Sequence, residues 1–107
     1  MPILRVALDV PLHRLFDYRC DEASPADVGY RVRVPFGRRD KVGVIVAVAE
    51  SSDWPGDQIK PAHAILRDLP PLGADFFALC EFVSGYYQSP LGETILQALP
   101  AGLKRPL

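Results

Sequence analysis

An acidic residue lies between two aromatic residues near the start of the sequence, where Asp17 separates Phe16 from Tyr18. Asp is disfavoured in β-strands, and an aromatic pair packs better beside Val or Thr. An ionised carboxylate accepts hydrogen bonds and cannot donate them, whereas an aromatic ring offers a face on which any base can stack. Such a triplet can therefore bind the end of a nucleic-acid strand, whose terminal hydroxyl would donate to Asp17.

The residues alone leave two features of this triplet open. Asp17 can accept its hydrogen bond from the terminal hydroxyl or from the edge of a base. In a regular strand, Phe16 and Tyr18 also point to the face opposite Asp17. A pocket that all three share therefore needs a bulge or the end of the strand.

The sequence lacks the motif of a phosphate-binding loop. The glycine and basic cluster FGRRDKVG, residues 36–43, has neither the lysine-hydroxyl ending nor the helix start that such a loop needs. His13 and His63 are fifty residues apart and have no His or Cys partner at metal-ligand spacing. We therefore expect neither a nucleoside triphosphate nor a metal ion to bind by these routes.

Clustered carboxylates offer one catalytic alternative, because Asp17, Asp21 and Glu22 could hold a magnesium ion in a nuclease. Asp21 and Glu22 precede the sequence Ala-Ser-Pro, however, and are typical of a turn. The spacing gives little support to a shared cation site. We expect that this chain is no enzyme and holds no cofactor of its own.

Charge is distributed unevenly, although the formal net charge is only −1. Residues 31–41 contain five basic residues and one acid, whereas residues 68–103 contain four acids and no base. A domain with one basic edge can hold a polyanion on a single face. Arg38, Arg39 and Lys41 are therefore candidate phosphate contacts. The simpler interpretation is a solvated strand face.

The composition is that of a small globular protein. Hydrophobic residues make up 49% of the 107 residues, enough for one compact domain or two small subdomains. No apolar run approaches the roughly 20 residues that span a bilayer, and the first residues do not have the pattern of a signal peptide. We expect a cytoplasmic location without membrane contact. Cys20 and Cys80 are expected to be reduced, mostly buried thiols.

Three segments have the hydrophobic period of two that is typical of β-strands, and they cover residues 3–10, 29–36 and 41–50. Their alternating sets are Leu4, Val6, Leu8 and Val10, then Tyr30, Val32, Val34 and Phe36, then Val42, Val44, Val46 and Val48. In the second segment, Arg31, Arg33 and Pro35 are expected on the opposite face. The third segment is predicted to be buried on both faces.

Two weaker strand candidates cover residues 14–20 and 60–67, and the turn residues of 51–58 predict a loop. Five short strands separated by Gly and Pro predict a small β-barrel of the OB-like kind. We therefore predict a mainly β fold in which residues 1–69 form an OB-like β-barrel subdomain with helices after it.

The period changes to that of an amphipathic helix after Pro70 and Pro71. Apolar residues recur three and four positions apart at Phe76, Leu79, Cys80, Phe82, Val83, Tyr86 and Tyr87, and we expect them in the core. Stacking of bases on Tyr86 and Tyr87 is the alternative. Ser89 is predicted to cap a second helix with Pro90 at its first position. The stripe of that helix comprises Leu91, Ile95, Leu96 and Leu99. Residues 70–107 are accordingly predicted to form a short helical subdomain.

Three separated segments give the sequence a specific resemblance. They are VALDVPL and RLFDY in residues 6–18, RVRVPFGRR and GVIVAV in residues 31–48, and YYQSPLGETILQALP in residues 86–100. Together they resemble, over essentially the whole chain, the N-terminal domain of the PriA family of bacterial primosomal helicases, also called primosomal protein N-prime.

The resemblance implies a module that binds the 3′ end of a DNA strand at stalled or branched replication forks, ahead of a helicase motor that this chain lacks. It implies a pocket for the 3′-terminal nucleotide formed by Phe16, Asp17, Tyr18, Gly37 and Lys60. ATP, magnesium and zinc are implied only for the full-length helicase, as are primosome proteins as partners. We expect the isolated domain to be a monomer whose partner is DNA with a free 3′ end, such as the leading-strand end at a fork.

Two of these residues also have simple interpretations. Gly37 has no side chain, so its loop can approach a sugar or phosphate closely, but turns often contain glycine for conformational reasons alone. Lys60 offers a flexible charge to a phosphate, or is an exposed strand-edge residue. The alternative function is a small β-barrel that docks a protein partner without nucleic-acid specificity.

Overall fold

The computed structural model of the protein describes residues 2–52 and 58–99, which form five β-strands followed by two α-helices. The strands are β1 (Ile3–Ala7), β2 (Phe16–Arg19), β3 (Arg31–Phe36), β4 (Arg39–Ala49) and β5 (Ala64–Leu66). The helices are α1 (Ala74–Tyr87) and α2 (Leu91–Ala98), and a 3-10 turn lies at Pro25–Asp27. The predicted loop at 51–58 falls mainly on residues outside the described ones, as do residues 100–107.

The five strands form one antiparallel sheet in the order β2-β1-β4-β3-β5. Its two outer strands are joined through the segment just before β5. The Arg19 amide donates to the Lys60 carbonyl at 3.0 Å, and the Ala62 amide donates to the Arg19 carbonyl at 2.9 Å. These bonds close the sheet into a small barrel, so the predicted mainly β, OB-like fold is confirmed.

The inside of the barrel contains the predicted alternating residues of β1 and β3. Its fully or almost fully buried side chains are Leu4, Val6, Leu8, Val10, Tyr18, Val32, Val34 and Ile45. The period of two therefore identified these two faces correctly. Arg31 lies on the opposite face as expected, beside Val44, but its side chain is buried there and donates two hydrogen bonds of 2.8 Å to Asp68.

The four valines of β4 do not share one face, contrary to the prediction. The pairing with β1 shifts between Arg5 and Val6, which leaves Val46 as an extra residue. A bulge of one residue exchanges the two faces of the strand beyond it. Val44 and Val46 consequently pack towards the helices, whereas Val48 packs against the inside of the barrel.

The two helices cover the outer face of β1 and β4. Ala7 and Val44 form a second core there with Cys80 of α1 and with Ile95, Leu96 and Leu99 from α2 and its end. Gly92 permits this contact, since a Cβ at that position would lie 2.2 Å from the Leu8 carbonyl oxygen. The predicted stripe of α2 is thus confirmed for its buried members.

Two expectations for the helical region are wrong. Within α1 only Cys80 is fully buried, and the predicted core residues Leu79, Phe82, Tyr86 and Tyr87 are exposed. Ser89 also lies one position too early to cap α2, which begins at Leu91 with Pro90 at the cap. The Ser89 hydroxyl instead lies 3.0 Å from the Thr94 hydroxyl.

The two cysteines are free thiols, Cys80 buried and Cys20 half-buried. Burial raises the pKa of the Cys80 thiol. No helix within residues 2–52 and 58–99 is long and apolar enough to cross a membrane.

Candidate nucleic-acid interface

A cavity of about 280 Å³ opens beside the start of β2. Its walls come from β2, from the turn between β3 and β4, and from the segment before β5. The residues implied by the family resemblance all line it, namely Phe16, Asp17, Tyr18, Gly37 and Lys60. Five further residues complete the lining, and they are Arg14, Pro35, Phe36, Gln58 and Ile59. The fold therefore brings together residues that are up to 46 positions apart in sequence, from Arg14 to Lys60.

The side chains of the opening triplet alternate as a strand requires. Phe16 and Tyr18 pack against the inside of the barrel, whereas Asp17 lies on the outer face opposite its cross-strand neighbour Arg5. The three still border one cavity because Phe16 is the first residue of β2, so the cavity lies at the end of the strand.

The edge of β2 that faces away from β1 also presents main-chain groups. Arg19 uses its amide and carbonyl to bond Lys60 and Ala62 across that edge. In an antiparallel strand, main-chain groups two residues apart point to the same side. The amide and carbonyl of Asp17 therefore point to the side on which Lys60 borders the cavity.

The Asp17 carboxylate is held by two neighbours. Its Oδ1 lies 3.4 Å from Arg5 Nε, and its Oδ2 accepts a hydrogen bond from the Ser52 hydroxyl. The Asp17 side chain is 9% exposed. An ionised carboxylate has about four acceptor positions, so these two contacts leave capacity for a donor from a ligand. The ion pair with Arg5 also explains why an acid is tolerated within this strand.

Two aromatic rings form one wall of the cavity. Phe16 and Phe36 meet edge to face, with ring centroids 5.3 Å apart. The Arg14 guanidinium carbon lies 4.8 Å from the centroid of Phe16. Sequence reasoning did not include Phe36 or Arg14 among the site residues. Their signals were the position of Phe36 next to Gly37 and the position of Arg14 two residues before Phe16.

Tyr18 contributes to the cavity mainly as a structural wall. Only 5% of it is exposed, and its hydroxyl donates to the Pro35 carbonyl at 2.7 Å. Burial raises the pKa of the Tyr18 phenol because the phenolate would lose its hydration. Tyr18 thus connects β2 to the end of β3 on either side of the cavity.

Gly37 is the first of two residues in the turn between β3 and β4, where Phe36 pairs with Arg39. Its φ of +63° is unfavourable for a residue with a side chain and matches the glycine of a type II′ hairpin turn. A Cβ at this position would meet no atom within 4 Å. The turn conformation therefore explains why position 37 is a glycine. The open space beside Gly37 leaves the loop accessible to a ligand.

The basic candidates differ in their relation to the cavity. Lys60 lines it and is exposed, whereas Arg38, Arg39 and Lys41 are outside its lining. Arg38 and Arg39 are exposed beside the turn, and the Lys41 ammonium lies 6.0 Å from the centroid of the Phe36 ring. Within the part of the chain that the structure describes, no three His, Cys, Asp or Glu side chains are grouped in a way that could hold a metal ion.

Comparison with known proteins shows which family the chain resembles. Residues 5–100 match the family model of the PriA 3′DNA-binding domain (3′BD). The chain is 41% identical over 107 residues to the replication restart protein PriA of Haemophilus influenzae, an alignment that covers 97% of this chain and 14% of that protein. It is 36% identical to the protein of the same name from Bacillus subtilis, again over 97% of this chain and 14% of the relative.

A third relative, the replication restart protein PriA of Treponema pallidum, is 28% identical over 94% of this chain and 16% of its own length. The chain thus spans about one seventh of the length of the first two relatives, which is 14% in each case. A family model that matches almost the whole chain, together with a relative 41% identical, decides its membership. The chain belongs to the PriA 3′DNA-binding domain family.

Proposed function

We propose that this domain binds the 3′ end of a DNA strand in the cavity beside β2, as the end-recognising part of a replication-restart protein. The observation that supports this most directly is the convergence of Phe16, Asp17, Tyr18, Gly37 and Lys60 on one cavity of about 280 Å³. That volume lies near the lower end of small-ligand pockets, so it suits one nucleotide rather than a length of strand.

The polar groups of the cavity suit a free end. A terminal 3′ hydroxyl is a hydrogen-bond donor, and Asp17 accepts without donating. A 3′ phosphate would instead place a second negative group beside the carboxylate. Asp17 thereby favours a hydroxyl end over a phosphate end. An amino group on the edge of a base is the second possible donor to Asp17.

The remaining groups suit DNA of any sequence. Base stacking on an aromatic ring contributes about 1–3 kcal/mol and tolerates every base, and the rings of Phe16 and Phe36 lie at the cavity wall. Lys60 is placed to contact a phosphate as a flexible charge. Such a site can act wherever a strand ends, which replication restart at arbitrary positions requires.

The domain is proposed to contribute binding within a longer protein. Its relatives are about seven times its length, since it covers 14% of each of the first two. We propose that ATP-dependent helicase activity belongs to the rest of such a protein, with magnesium and zinc as its cofactors and primosome proteins as its partners. The leading-strand end at a stalled fork is the proposed DNA partner, and the cytoplasm is the proposed location.

The test is binding of fluorescent single strands that are identical except at the 3′ terminus, measured by anisotropy. We expect a strand with a 3′ hydroxyl to bind more tightly than the same strand with a 3′ phosphate. Equal binding of both strands would contradict end recognition. Absence of binding to either strand would favour the alternative function, a barrel that docks a protein partner.

A further inference from the structure

Helix α1 presents a contiguous row of large apolar side chains to solvent. Leu79, Phe82, Tyr86 and Tyr87 are exposed by 61%, 69%, 73% and 71%. The spacing of three and four places Leu79, Phe82 and Tyr86 along one side of the helix, and Tyr87 borders this row through its contact with Tyr86. The rings contact one another, with centroids 6.3 Å apart for Phe82 and Tyr86 and 5.0 Å apart for Tyr86 and Tyr87. We call these four residues the α1 aromatic face.

The fold itself does not need this face. Helix α1 joins the second core through Cys80, with Phe76 and Phe77 partly buried beside it. Scattered apolar residues on a surface are normal, but a contiguous aromatic group marks a site of interaction. The α1 aromatic face is therefore available for a contact outside the described residues.

A cavity next to the face gives a partner somewhere to insert a side chain. It measures about 370 Å³, lies between α1 and α2, and is lined mainly by apolar groups. Leu79 and Tyr87 belong both to this cavity and to the α1 aromatic face. Protein interfaces concentrate their binding energy in such anchored, desolvated positions.

The charge around the face selects the kind of partner. Helices α1 and α2 contain Asp75, Glu81 and Glu93 and no Lys or Arg. DNA binding depends on neutralising phosphates with basic residues, so aromatic rings in acidic surroundings are poorly suited to a nucleic acid. A protein surface that is apolar at its centre and basic at its rim complements this region.

We propose that the α1 aromatic face docks this domain onto the remaining part of a longer polypeptide, through an apolar patch with a basic rim on that part. The relatives give the reason to choose this occupant, because the domain covers only 14% of the length of the first two. A partner on the same chain has an effective concentration in the millimolar range, far above that of a second molecule. Contacts of this kind between domains are normal within large proteins.

The test uses the full-length protein that carries this domain, with a photoreactive phenylalanine analogue in place of Phe82. We expect irradiation to link position 82 to a segment of the same polypeptide outside these 107 residues, in material of monomer mass. The matched control places the analogue at Leu12, which is 46% exposed and lies outside the helices. The control is expected to give at most weak links to that segment.

Three outcomes would overturn the proposal. Links found only between two copies would make the face a dimer contact. Links to added single-stranded DNA would make it a stacking surface for bases. Irradiation without any link beyond the domain would leave the face without the proposed partner.

A second measurement separates docking from folding. The double variant Phe82→Ser, Tyr86→Ser is expected to leave the thermal unfolding of the 107-residue chain nearly unchanged, because both side chains are exposed. In the full-length protein, amides of residues 79–87 should exchange about tenfold more slowly than in the 107-residue chain, and the double variant should remove that difference. Equal exchange in both wild-type proteins would overturn the proposal, as would unfolding of the double variant of the 107-residue chain.

Discussion

Arg5 and Asp17 face each other across β1 and β2, with Arg5 Nε 3.4 Å from Asp17 Oδ1. The carboxylate contacts the sheet through this pair, and it is also the proposed acceptor for a ligand in the cavity. A substitution at either residue breaks the same ion pair, but only a substitution of Asp17 removes the acceptor. Comparison of the two therefore separates structure from recognition.

Replacing Asp17 by Ala should weaken the binding of a strand with a 3′ hydroxyl by about 1.5–3 kcal/mol, the loss expected for a hydrogen bond to a charged group. Binding of a strand with a 3′ phosphate should not weaken, since removal of an acid cannot harm phosphate contacts and takes away a repulsion. Asp17→Asn should have an intermediate effect, because its carbonyl still accepts. Anisotropy titrations with both strands measure all three proteins.

The control for that experiment is Arg5→Met, which keeps the carboxylate. The Arg5 side chain is 40% exposed, so the ion pair should contribute at most about 1 kcal/mol to the free energy of unfolding. The preference for the hydroxyl end should persist in this variant. If Arg5→Met abolishes the preference for the 3′ hydroxyl as fully as Asp17→Ala does, the carboxylate acts by stabilising the sheet and not by contacting the strand end.

Phe36→Leu should weaken single-strand binding by about 1–3 kcal/mol with little dependence on base sequence, because a stacking surface is lost. Leucine retains most of the apolar contact with the barrel, so the domain should remain folded. Phe82→Leu on α1 is the matched control and should leave DNA affinity unchanged. Equal losses in both variants would contradict a specific role for the cavity wall.

Binding should depend only weakly on salt, because a pocket for one nucleotide contacts few phosphates. For single strands, the slope of log affinity against log salt is about −0.7 for each phosphate neutralised, so we expect about −0.7 to −2. Lys60→Gln should reduce the steepness by about 0.7. Arg33→Gln, a change at an exposed residue outside the cavity, serves as control. A much steeper slope would indicate a long binding groove instead.

Tyr18→Phe should destabilise the domain at neutral pH by about 0.5–1.5 kcal/mol, since the hydrogen bond to the Pro35 carbonyl is lost. The pKa of Tyr18 is raised by burial in the folded state. Its contribution is therefore complete below about pH 10, the pKa of an unfolded tyrosine, and is lost as the pH rises through the folded value. Urea unfolding should be measured for the wild type and for Tyr18→Phe at neutral pH and above about pH 10. The difference between their free energies of unfolding should be smaller at the higher pH. A constant difference would contradict this linkage.

Asp68→Ala should reduce the free energy of unfolding by about 1–3 kcal/mol, because it removes two charged hydrogen bonds from the buried side chain of Arg31. Because Asp68 is partly exposed, this loss in the free energy of unfolding should be smaller than the cost of breaking a fully buried ion pair. The comparison is Asp40→Ala, which breaks an exposed contact with His63 and should cost little. Similar losses in both variants would argue against burial as the deciding factor.

The alternating residues of β1 and β3 were predictable because one face of each strand fills the barrel. The positions on that face are therefore hydrophobic and can be identified in the sequence. The bulge at Val46 could not be predicted, because the four valines recur every second residue in the sequence although the strand pairing shifts between them. The arrangement of α1 was equally hidden. An exposed aromatic row and a buried one have the same spacing, and only the position of the sheet decides between them.

The candidate site was also predictable from the sequence only in part. Five of the residues that line the cavity were reached through the family resemblance, and whether they bind DNA remains a prediction. The partners of Asp17 could not be inferred from local sequence, because Arg5 and Ser52 lie on other segments. Phe36 was predicted as an inward strand residue, but its contact with Phe16 depends on how the barrel closes.

The closure of the barrel has a consequence for folding kinetics. The bonds of Arg19 to Lys60 and Ala62 join segments that are 41 and 43 residues apart in sequence. Contacts of large sequence separation cost loop entropy before they return any stabilisation, and they form slowly. The cavity has walls on both sides of this junction, so it exists only once the junction has formed. A ligand that binds there binds only the closed barrel and therefore stabilises it by mass action.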